Sequence, residues 1–175
     1  MSASEAQTLA LQGVKAYTLQ IIFVLVAVLL PIGMHFIGAP VRIMLPMHWP
    51  IILAGLVYGW RAGTIAGIFA PILSYIVSGY PLPSILPSMT VELMIYGLSI
   101  GLMREKTSIN KFACVLMGLI FGRIAFIVCA LLTYVPESNA VEYFEVALLP
   151  GVWAAVGQIV MLPILSSWWI RQDNS

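Results

Sequence analysis

Five polar side chains, His35, His48, Glu92, Arg123 and Gln158, stand inside or at the edge of long apolar runs. Arg123 is the most demanding of them. In "LIFGRIAFIVCALL" a guanidinium facing lipid would cost at least about 2.5 kcal/mol. It must meet a carboxylate, meet an anionic ligand, or stretch to an interface. Glu92 is the one acidic residue at comparable depth, so two chemistries are open. Either the two charges form an internal ion pair that ties helices together, or they read the charged group of a captured molecule. A carboxylate placed in the first turn of a helix, as Glu92 is by this reading, is also favoured by the helix dipole whatever its role. His35 and His48, with Met34, Met44 and Met47 close by in the chain, offer interfacial imidazoles, ligand contacts, or ligands to a metal or metallocofactor. Trp49, Tyr75, Tyr80, Tyr96, Tyr143 and Trp153 either form an aromatic belt at the membrane surface or stack on a planar substrate.

Catalysis is a poor use of this chain. Ser74 and Ser78 have no adjacent base, and there is no HExxH, no phosphate-cradling GxxxxGK[ST] and no pair of carboxylates at metal spacing. The chain therefore carries no ATPase site of its own. Cys114 and Cys129 are fifteen residues apart in one apolar run, about 22 Å along a helix, and cannot bridge there. A net charge of +1 without a Lys/Arg cluster leaves nothing to hold nucleic acid.

The elements that must position these groups follow from composition. Hydrophobic residues make up 61% of the 175 and charged residues 9%, against about 25% charged in soluble domains. The solvent is a lipid bilayer, and residues 1–175 read as a single all-α transmembrane domain. Six helices are expected, over about 14–37, 47–60, 62–78, 89–103, 112–134 and 146–170. The breaks carry turn chemistry: "GAPVRIMLP", "GWRAG", "GYPLPSILPS", "REKTSINK" and "VPESNAVEYFE". Splitting 47–78 in two rests on "GWRAG", since an arginine between two glycines suits a tight turn better than a bilayer centre. The N-terminus lacks a signal peptide's basic start and cleavage site, so the first apolar run is expected to span.

Orientation comes from the loop cations. Lys15, Arg61, Arg104, Lys106, Lys111 and Arg171 fall on one side and Arg42 alone on the other, with Glu137, Glu142 and Glu145. Both termini are expected inside. Trp168 and Trp169 beside Arg171 then anchor the inner interface. On this topology His35, His48, Glu92, Arg123 and Gln158 all fall in the outer half or at the midplane, which argues for a cavity open to the outside. Small residues recur four apart at Ala62, Ala66 and Ala70, Gly63 and Gly67, Gly97 and Gly101, and Gly118 and Gly122. Such ridges let helices approach closely, within the bundle or against a partner.

The stretch from Met44 to Lys106, "MLPMHWPIILAGLVYGWRAG…VELMIYGLSIGLMREK", resembles the substrate-specific S components of energy-coupling factor (ECF) transporters. The resemblance rests on Pro50, Leu53, Ala54 and Gly55 in a short second helix and on Gly59 and Gly63 at the following turn. It continues through Pro81, Pro83 and Pro87 in the outer loop to Glu92, Leu93, Tyr96 and Gly97 opening the fourth helix. It implies a six-helix, N-in/C-in protein of a bacterial or archaeal cytoplasmic membrane. Such a protein captures a vitamin or other micronutrient from outside and delivers it through a T subunit and two ATPase subunits. The substrate-binding set is then Arg123, Glu92, His48, Trp49, Tyr80, Tyr96, Trp153, Gln158 and His35. No cofactor and no resident metal are expected. One departure stands out: the family's Ala-x-x-x-Ala docking pair has only Ala10, Gly13 and Ala16 in its place. The alternative is a structural or scaffold membrane protein of the same fold with no transported ligand.

Overall fold

The computed structural model describes residues 8–10, 13–133, 145 and 147–173. Tyr143, Glu137 and Glu142 lie outside the described residues. Among those described there is helix and no strand: α1 (Gly13–Phe36), α2 (Val41–Met44), α3 (His48–Ser78), α4 (Leu86–Lys106), α5 (Lys111–Thr133), a 3-10 turn (Leu149–Gly151) and α6 (Val152–Asp173). Five helical stretches are long and apolar enough to cross a membrane, with Val41–Ser78 counted as one. The chain is a multi-pass membrane protein.

The boundaries differ from the expected ones in instructive ways. The break inside 47–78 sits at Gly59, which has φ 81° and ψ −172°, with helix on either side and no separate loop. Only glycine takes such a conformation without strain. The helix kinks sharply there. A Cβ on Gly55 would stand 3.1 Å from the Gly97 carbonyl oxygen, and one on Gly63 would stand 2.6 Å from Gly97 Cα. Residues eight apart on a straight helix are about 12 Å apart, too far for both to reach one residue. Gly63, expected in the turn, is instead helical and serves this close packing. Glu105 accepts a hydrogen bond from the Trp60 backbone N–H at 3.1 Å, which satisfies a donor left open where the second limb begins.

"SILPS" does not remain a loop. Helix α4 starts at Leu86 because Pro87, at its first turn, needs no helical N–H partner. Glu92 consequently lies in the second turn, not the first, and the dipole gives it less support. One helical turn, α2, forms within "GAPVRIMLP" and ends at Leu45, whose φ is 44°. Helix α6 runs on to Asp173, three residues past the expected end.

The second limb of α3 and α4 pack backbone to backbone. Cβ atoms on Gly63, Gly67, Gly97 and Gly101 would all fall on main-chain atoms of the facing helix. Ala62, Ala66 and Ala70 are buried as well, so these small-residue ridges serve packing inside the bundle. On α1, Val24, Ala27 and Val28 face this centre, while Ile21, Leu25, Leu29 and Phe36 remain exposed, as a lipid-facing side requires. Ala10, Gly13 and Ala16 do not make a helical ridge, because Ala10 precedes α1.

Candidate functional site

At the Glu92 level of α4 the packing changes character. Glu92 is 2% exposed, and its Oε1 makes two close contacts. One is a hydrogen bond from the Tyr96 hydroxyl at 2.5 Å and the other an ion pair with Arg123 Nη1 at 3.0 Å. Tyr96 reaches it because residues four apart share a helix face. Oε2 lies 3.9 Å from His48 Nε2, an electrostatic contact too long for a hydrogen bond. The His48 and Tyr96 rings pack with centroids 5.5 Å apart. Three segments therefore converge on one carboxylate: the start of α3, the second turn of α4 and the middle of α5.

Glycines make the space. A Cβ on Gly122 would strike the Tyr96 ring, so the residue before Arg123 is small in order that Tyr96 can lie against α5. A Cβ on Gly151 would stand 2.6 Å from Arg123 Nη2 and 2.8 Å from a Leu45 methyl. The guanidinium thus bridges from Glu92 toward the start of α6. Its side chain keeps 25% exposure while that of Glu92 keeps 3%, so the arginine is the accessible half of the pair.

Several buried polar atoms have no hydrogen-bond partner: both ring nitrogens of His48 in this centre, the Ser88 hydroxyl one turn before Glu92, and both amide atoms of Gln158 on α6. Such atoms are nearly always bonded in folded proteins. Ser88, one helical turn before Glu92 and fully buried, was not singled out by sequence. Its position four residues ahead of Glu92 was the available signal. Trp49 donates its indole N–H to the Met44 carbonyl at 2.9 Å and rests its ring edge 3.3 Å from where a Gly157 Cβ would be, beside Gln158 in the chain.

The remaining candidates stand differently. His35 stacks on Tyr80, centroids 5.4 Å apart, so the two histidines engage different partners. Trp153 is 74% exposed and contributes nothing to the carboxylate's surroundings. No group of three or more His, Cys, Asp or Glu side chains suited to a metal ion occurs among the described residues.

The arrangement, a membrane-depth carboxylate clamped by an arginine with unsatisfied polar atoms alongside, is the kind found where a membrane protein holds a small polar molecule. The family described as ECF transporter, substrate-specific component, matches residues 18–170. The chain belongs to this family. No curated protein and no solved structure matches it.

Proposed function

We propose that this protein is the high-affinity capture subunit of an ECF-type importer. It takes a vitamin or other micronutrient from outside and delivers it through a T subunit driven by two ATPase subunits. It needs no ATPase site of its own. In this reading the chain crosses the membrane six times, turning at Gly59, with both termini in the cytoplasm. Arg123, Glu92, His48, Tyr96 and Gln158, with Ser88, line the binding cavity on the outer side. Trp49 closes its edge, and His35 with Tyr80 forms part of the outer loops over which the substrate enters.

The observation that carries the reading is that buried polar atoms on His48, Ser88 and Gln158 lack partners while the arginine on Glu92 is partly exposed. A self-sufficient structural pair would leave no such surplus of donors and acceptors. A carboxylate or phosphate on the substrate suits Arg123, and a polar ring edge suits the Gln158 amide. A second reading, a scaffold protein of this fold, draws on one fact: Glu92 is already satisfied by protein groups.

Mass spectrometry of small molecules retained by the purified protein separates the two. Capture predicts one stoichiometric compound, lost in Arg123→Ala, and copurification of T and ATPase subunits. An empty protein that binds no micronutrient and recovers no such subunits would favour the scaffold.

A further inference from the structure

At the far end of α4, α5 and α6 from Glu92, cations gather. The four-residue link after Lys106 sets Arg104, in the last turn of α4, beside Lys111, the first residue of α5. Lys111 Nζ donates to Ser167 Oγ at 2.8 Å, and Arg171 Nε donates to the Ser167 carbonyl at 3.4 Å. Arg104 and Arg171 both lie within electrostatic reach of Lys111. Positive charge suits the last turns that carry Arg104 and Arg171, whereas Lys111 stands at a helix start, where the dipole opposes it. Its bonded partner, Ser167, is neutral. Among the described residues, Glu105 accepts from the Trp60 N–H and Asp173 pairs with Lys15, so neither is on Lys111 or Arg171. Trp168, 55% exposed, marks the level of the membrane interface here.

We propose that Lys111 and Arg171, which meet at Ser167, form a site for the phosphate of an anionic lipid headgroup between the start of α5 and the end of α6. A phosphodiester offers two acceptor oxygens, one for the ammonium and one for the guanidinium, and its charge relieves the repulsion between the two. Lipid tails would lie along the exposed apolar faces of α5 and α6, where Leu116, Ile120, Ile164 and Leu165 are open. The site is independent of the substrate that the other end takes.

The test reconstitutes the full chain in nanodiscs of phosphatidylcholine with a minor fraction of phosphatidylglycerol and reads retained lipid by native mass spectrometry. The parent should hold phosphatidylglycerol selectively. The double variant Lys111→Gln/Arg171→Gln should lose that retention roughly thirtyfold. A charge-matched control at exposed positions, Arg61→Gln/Lys106→Gln, should keep it. Equal loss in the control, or no selectivity in the parent, overturns the site. Thermal stabilisation by inorganic phosphate in pure phosphatidylcholine, with no phosphatidylglycerol retained, would assign a free phosphate and overturn the lipid. If the double variant does not fold, Arg171→Gln alone, at an exposed side chain, should still lower retention severalfold.

Discussion

The two ends of the α3–α4 contact obey different rules. At Gly63 and Gly67 on α3 and at Gly97 and Gly101 on α4 the helices touch through backbone, and glycine is needed because a Cβ there would fall on main-chain atoms. At Glu92 the start of α3 meets α4 through side chains instead, a carboxylate, a phenol and an imidazole that meet one another. In lipid there is no hydrophobic gain from bringing apolar helices together, so close packing supplies the stability. The polar end then need not hold the fold alone, and it can carry groups whose bonds are incomplete. Rigidity at one end licenses a site at the other.

This contrast can be broken most severely at Gly97. Gly97→Val should cost about 3 kcal/mol or more, because a backbone contact cannot relax as a side chain can. Thermal melting in detergent should show loss of the folded protein, and a near-parent melt would refute the tight contact. Arg123→Ala comes next. It leaves Glu92 buried without its cation, a loss of about 3 kcal/mol, and should abolish substrate binding. In Arg123→Ala/Glu92→Gln much of the stability should return while binding does not. Restoration of both would make the pair structural.

A smaller effect is expected of Tyr96→Phe, which removes one hydrogen bond to a charged group, about 1.5 kcal/mol. It should lower the melting temperature and weaken substrate binding without abolishing it. Trp153→Ala should be smallest, within about 0.5 kcal/mol and without effect on substrate affinity in a titration, since its ring is exposed. Strong loss of affinity in that variant would move the binding site toward the outer face of α6.

Much of this was legible in the residues. The long apolar runs identify α1, α5 and α6 because a bilayer demands uninterrupted hydrogen-bonded helix, and the demand of Arg123 for a partner led to Glu92 because lipid offers no alternative. The bounds of α4 were less legible, since "SILPS" has loop composition and yet Pro87 fits a first helical turn. Of the aromatic candidates, Tyr96 joined the carboxylate and Trp153 did not, although both sit among apolar neighbours in sequence.

The amino-acid sequence by itself determined the solvent, the helical class and which ionisable groups must find partners, because these follow from transfer free energies that each residue carries wherever it lies. Only the tertiary structure decided which glycine turns and which packs, and that the His48 ring lies against Tyr96 beside Glu92. It likewise decided that Gly122 and Gly151 clear the space for Tyr96 and Arg123. Those outcomes depend on which helix face meets which, a relation between distant segments that no local pattern contains.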